Sequence, residues 1–132
     1  MNLDFSVFKG GWSYMAEEME NAVSLLPDQE TLSVMEFGCG DSSIKLFDLL
    51  SNKWNVRYKA FESNSNYFLN HIDIHCFLYG ENEIENLNIG NEKYDFILID
   101  GPNGALRKHW YSKITNNVKS GTIILLVPLS RI

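Results

Sequence analysis

Residues able to hold a ligand gather at one turn. Glu36-Phe37-Gly38-Cys39-Gly40-Asp41-Ser42-Ser43 runs from an apolar stretch into a carboxylate, then into two glycines one residue apart. Gly38 and Gly40 let the backbone turn tightly and approach a ligand closely, because neither carries a Cβ. Asp41, Ser42 and Ser43 suit the start of a helix, whose first N–H groups favour anionic groups. Two more carboxylates close apolar stretches further on, Glu62 before Ser63 and Asp100 before Gly101-Pro102. A carboxylate can accept two hydrogen bonds from a diol or take a proton from an acceptor.

The elements that must position these groups alternate strand and helix. Apolar residues at helical spacing (Trp12, Met15, Met19, Ala22, Val23, Leu26) predict a helix over 12–26, ended by Pro27. Strands are predicted over 32–37, 56–62, 75–79, 94–100 and 122–129. Helices are predicted over 42–51, with Ile44, Phe47 and Leu50 inward, over 64–70, and over 105–118, with Leu106, Trp110 and Ile114 inward. Residues 81–92 read as mostly loop, with room for one helical turn. The continuous apolar run Phe96-Ile97-Leu98-Ile99 suits a sheet buried on both faces. This order implies an α/β fold: a Rossmann-like, doubly wound, mostly parallel sheet. The expected organisation is a single domain over 1–132, with a helical segment at 1–31 and a cofactor-binding sheet core at 32–132. Ligands of such sheets sit beyond the carboxyl ends of the strands, where Glu36 to Ser43, Glu62-Ser63 and Asp100-Gly101-Pro102 converge.

Composition narrows the function. The 132 residues are 45% apolar and 21% charged, as in ordinary globular domains. A net charge of −6 argues against broad nucleic-acid binding. No apolar run reaches the ~20 residues of a membrane helix, and no secretory signal is visible at the N-terminus. Cys39 and Cys76 make no paired motif, so a reduced, cytoplasmic chain is expected. His71 and His75 have ligand-like spacing without a third ligand, and no metal site is expected.

The turn departs from the dinucleotide fingerprint G-x-G-x-x-G in two places. Ser43 stands where the third glycine belongs, and Glu36 stands two residues before Gly38. Both departures disfavour an NAD-dependent oxidoreductase.

Glu36-Phe37-Gly38-Cys39-Gly40-Asp41-Ser42 resembles motif I of the class I S-adenosylmethionine-dependent methyltransferases, and Tyr94 to Pro102 resembles their motif IV. The resemblance covers residues 32–129. It implies S-adenosylmethionine as cofactor, with Glu36, Gly38, Cys39, Gly40 and Ser42 around its methionine part and Glu62 with Ser63 at the ribose. Glu81, after Tyr79-Gly80, is implied near adenine, and Asp100, Gly101 and Pro102 beside the reacting methyl. Asp100 is the first candidate to orient or deprotonate the acceptor, His109 the second, and Arg107 a candidate substrate anchor. Asp100-Gly101-Pro102-Asn103-Gly104 is similar to a loop of some sugar and polysaccharide O-methyltransferases. The asparagine-proline-proline-tyrosine motif of amino-group enzymes is absent, which favours a hydroxyl on a sugar or other small molecule. Magnesium-dependent catechol-type enzymes carry an Asp/Asn pair after the next strand, where this chain has Pro128-Leu129-Ser130-Arg131-Ile132. The family sheet ends in an antiparallel hairpin that this sequence lacks, so the 122–129 strand is expected at an edge, open to pairing in a homodimer. A cofactor-binding partner subunit without catalysis is the alternative function.

Overall fold

A computed structural model describes residues 3–8, 15–102 and 104–127. Trp12, Asn103 and residues 128–132 lie outside them. Five strands form one parallel sheet: β1 (Thr31–Phe37), β2 (Asn55–Glu62), β3 (Ile74–Leu78), β4 (Phe96–Ile99) and β5 (Ile123–Leu126), in the order β3-β2-β1-β4-β5. The order reverses between β1 and β4, so the switch point lies where the sequence places its ligand. Among the described residues no helix is long and apolar enough to cross a membrane.

Strand alternation sorts the side chains into two layers. Leu32 and Val34 of β1, with Phe96 and Leu98 of β4, face one layer with α1 (Ala16–Ser24) and α2 (Asp41–Leu50). Met35 and Phe37, with Ile97 and Ile99, face the other, where Trp110 and Ile114 cover them. Trp110 lies on α3 (Lys108–Lys113), stacked on Phe37 at 4.0 Å between centroids. On β5, Ile123 and Leu125 pack against the first layer, while Ile124 and Leu126 stay 43% and 49% exposed on the second.

Several elements differ from expectation. Met15, read as inward, is 51% exposed just before α1. The buried face of α2 is Ser43, Leu46, Leu49 and Leu50, with Ile44 and Phe47 at its margin. The 64–70 helix is only a 3-10 turn, Ser65–Tyr67, because Asn64 caps Asn66 N–H locally and Phe68 turns extended. The 105–118 helix is broken into a 3-10 turn (Gly104–Arg107), α3, and a second 3-10 turn (Ile114–Asn116). Residues 81–86 form a further 3-10 segment, in keeping with the helical turn allowed there.

Candidate functional site

The glycine turn leaves β1 under tight constraint. Gly38 has φ +84°, and a Cβ there would lie 2.8 Å from the Gly101 nitrogen and 3.1 Å from its Cα. Gly38 and Gly101 therefore bring the motif-I turn and the loop after β4 into backbone contact. Gly38 N–H donates to the Phe61 carbonyl at 2.7 Å, and Asp100 N–H to the Phe37 carbonyl at 2.8 Å. These bonds carry the sheet ladder past the strand ends. Gly40 is open by contrast: a Cβ there would meet only Tyr67 Cδ1, at 3.9 Å.

Glu36 belongs to the face of β1 that points at α2. Its carboxylate is 1% exposed, and its Oε1 accepts from Ser43 Oγ at 2.5 Å and from Tyr58 OH at 2.8 Å. Ser43 Oγ in turn accepts from Gly40 N–H at 3.1 Å. Ser43 thus ties the start of α2 to the buried carboxylate, work for which a glycine has no side chain. Burial, followed by the Glu36 charge, pushes the Tyr58 hydroxyl well above its ordinary range, so Tyr58 stays a donor. Spacing found Glu36 but not Tyr58, which comes from the neighbouring strand in register with Val34.

Glu62 holds the second strand end. Its Oε1 accepts from Cys39 N–H at 2.8 Å, and its Oε2 from Ser63 N–H at 2.9 Å and Asn64 N–H at 2.8 Å. Three of about four lone-pair positions are filled, leaving roughly one on Oε1. The carboxylate therefore clasps the glycine turn to its own loop, a part that strand-end position alone does not reveal. Beside it, Ser63 Oγ donates to Glu81 Oε1 at 3.3 Å, which brings the expected ribose and adenine residues together. Burial pushes the nearby Tyr79 hydroxyl up.

Asp100 reaches the same rim, with its side chain 22% exposed. Three consecutive carbonyls of its loop are held from one helix segment. Arg107 Nη2 donates to Asp100 O at 2.6 Å, Trp110 Nε1 to Gly101 O at 2.8 Å, and Arg107 Nε to Pro102 O at 2.8 Å. Arg107 Nη1 also donates to Val127 O at 2.5 Å, beyond the end of β5. Arg107 is 5% exposed, with its guanidinium engaged by backbone and 3.9 Å from Asp100 Oδ1. Arg107, expected as a substrate anchor, is placed here as a strut beneath the Asp100 loop. The i, i+3 spacing of Arg107 and Trp110 puts both on one side of a helix, the signal that would have found it. His109, on the same helix, faces Glu85 at 3.7 Å. Ser42 opens α2 and is partly exposed.

A comparison with family models finds no match, and neither does one with curated proteins. Solved structures do match in fold. Human Methyltransferase-like protein 13 in complex with SAH superposes with a TM-score of 0.57 at 12% identity, over 82% of this chain and 61% of that one. The plantazolicin methyltransferase BpumL, in complex with a pentazolic desmethylPZN analog and SAH, gives 0.62 at 12% identity, over 92% and 49%. The cyclopropane synthase MmaA2 from Mycobacterium tuberculosis gives 0.54 at 14% identity, over 90% and 45%. This chain thus spans between 45% and 61% of the length of these three. The likeness is one of fold, and the fold is the Rossmann-like one of the class I methyltransferases that the motifs resemble.

Proposed function

We propose that this chain binds S-adenosylmethionine and transfers its methyl group to a hydroxyl of a small molecule or sugar. The observation that carries the reading is the Gly38-Cys39-Gly40 turn, clasped by Glu62, pressed against Gly101 and open at Gly40, at the switch point of a methyltransferase fold. SAH in two of the solved structures of like fold supports the cofactor.

The residues fit that cofactor. The open backbone at Gly40, with Cys39 and Ser42 on either side and Glu36 beneath, would receive its methionine part. The remaining Glu62 lone pair would accept a ribose hydroxyl, with Ser63 beside it, and Glu81 would flank the base. When bound, the cofactor supplies a sulfonium-activated methyl, so the protein's task is alignment and proton removal. Asp100 would orient the acceptor hydroxyl or take its proton at Oδ1 or Oδ2, on a loop immobilised by Arg107, Trp110 and Gly38. His109 stands second, and Gly101 and Pro102 shape that wall. The reading needs no metal and holds the chain to be cytoplasmic. It includes pairing of two copies through β5, supported by exposed Ile124 and Leu126 and checked by sedimentation.

Calorimetry with SAH, S-adenosylmethionine and NAD tests the cofactor. SAH and S-adenosylmethionine are expected to bind, and binding of NAD alone would overturn the reading. A screen of hydroxyl acceptors, sugars included, run with and without chelator, tests the reaction. One observation favours a second reading, binding without turnover: Arg107 and His109 both face other partners, which leaves Asp100 to meet the acceptor. Robust SAH binding with no methylation across the screen would select it.

A further inference from the structure

Cys39 and Cys76 stand 37 residues apart on non-adjacent elements, yet their Sγ atoms are 3.5 Å apart. β2 lies between β1 and β3, so the glycine turn after β1 reaches across it to meet Cys76, which stands in register with Ala60. Cys39 Sγ also donates to Tyr67 O at 3.6 Å, and Leu69 N–H donates to Cys76 Sγ at 3.4 Å. Both residues are partly exposed. A disulfide requires the sulfurs to close by about 1.5 Å, to ~2.05 Å.

The two glycines decide where that movement goes. Gly38 is pinned by the Gly101 backbone, whereas at Gly40 a Cβ would meet only Tyr67 Cδ1 at 3.9 Å, and its backbone is tied only to Ser43 among the described residues. A pull on Cys39 therefore displaces Gly40 and the start of α2, and it loads the Cys39 N–H bond to Glu62. Those groups are the ones assigned above to the cofactor.

We propose that Cys39 and Cys76 are a reversible dithiol pair, oxidised by a low-molecular-weight disulfide such as glutathione disulfide, and that the resulting bond weakens cofactor binding. The pairing stands on the geometry alone, and the effect on cofactor rests on the proposed function. The Cys39 thiol is pushed up by its burial and then by the Glu36 carboxylate, which makes it a poor first nucleophile. Cys76 sulfur attacks glutathione disulfide, forming a mixed disulfide and releasing one glutathione, which takes up the thiol proton. Cys39 sulfur then attacks Cys76 sulfur, its proton leaving with the second glutathione. Two thiols lose two hydrogens and two electrons, and one glutathione disulfide becomes two glutathiones.

The test equilibrates the native protein in glutathione buffers of rising oxidised fraction, then measures intact mass and SAH affinity by calorimetry. The expected result is loss of two hydrogens, an SAH Kd raised about tenfold or more, and reversal of both by dithiothreitol. Cys76→Ser and Cys76→Ala are expected to keep SAH affinity in every buffer. A wild-type mass that stays reduced, or that stops at one bound glutathione, overturns the pair. A disulfide that leaves SAH affinity unchanged overturns the coupling. A disulfide in a protein whose reduced form never binds SAH upholds the pair and overturns both the coupling and the cofactor reading.

Discussion

Gly38→Ala separates backbone strain from crowding, because two other glycines serve as its controls. Gly38 and Gly90 both have positive φ, +84° and +78°, but Gly90 has nothing within 4 Å of a built Cβ. Gly101 has the opposite profile: no positive φ, with Gly38 Cα 3.3 Å from its Cβ position. An L-residue in the left-handed region costs about 1–2 kcal/mol, offset by ~0.4–1 kcal/mol from the stiffer unfolded chain. Gly90→Ala should therefore destabilise by only about 1 kcal/mol. At Gly38 the new methyl would also stand 2.8–3.1 Å from backbone atoms of Asp100 and Gly101, whose loop Arg107 and Trp110 hold by three carbonyls. Overpacking of that kind adds ~1–3 kcal/mol, so Gly38→Ala should lose about 2–4 kcal/mol. Gly101→Ala, crowded but unstrained, should fall near 1 kcal/mol. Against a total of about 5–15 kcal/mol for a domain, the differences are easily read. Urea unfolding followed by tryptophan fluorescence gives the midpoints, with unchanged m values marking a common two-state transition. A Gly38→Ala loss no greater than that of Gly90→Ala would refute the close approach of the two loops.

Arg107→Lys removes the fork that binds the Asp100, Pro102 and Val127 carbonyls, and should destabilise by about 2–4 kcal/mol in thermal or urea unfolding. Tyr58→Phe deletes a buried hydrogen bond to the Glu36 carboxylate and should cost about 1.5–3 kcal/mol, measured in the same way. The Tyr94 hydroxyl is buried without a hydrogen-bond partner among the described residues, so Tyr94→Phe should leave stability unchanged or raise it by up to ~1 kcal/mol. Burial pushes the Tyr94 hydroxyl up to about 12, above its unfolded value, so the folded state binds that proton more tightly. Stability should then fall as pH rises from about 10 to about 12, and the slope should flatten in Tyr94→Phe when unfolding is followed across that range.

Motif spacing sufficed for the architecture. Continuous apolar strands, helical periodicity between them and the two-glycine turn led to a parallel sheet with Glu36, Glu62 and Asp100 at one end, and among the described residues five strands form such a sheet, whose order β3-β2-β1-β4-β5 the spacing did not give. Such signals are local: one residue's neighbours in sequence decide whether it alternates, repeats or turns. The short helices were less legible, since capping by Asn64 overrode the apolar residues of 64–70.

What each site residue touches was set by packing across the sheet. Arg107 was read as a substrate anchor because its charge is visible in sequence, while the three carbonyls that hold it inward belong to loops up to twenty residues away. Glu62 was found by position, but its role in clasping Cys39 follows from the register of β1 against β2. The meeting of Cys39 with Cys76 follows from a turn crossing an intervening strand. One-dimensional spacing therefore identified the chemical groups and the end of the sheet where they gather. Tertiary structure decided which of them remain open to a ligand and which hold the site together, because hydrogen bonds and burial depend on partners that are distant in sequence.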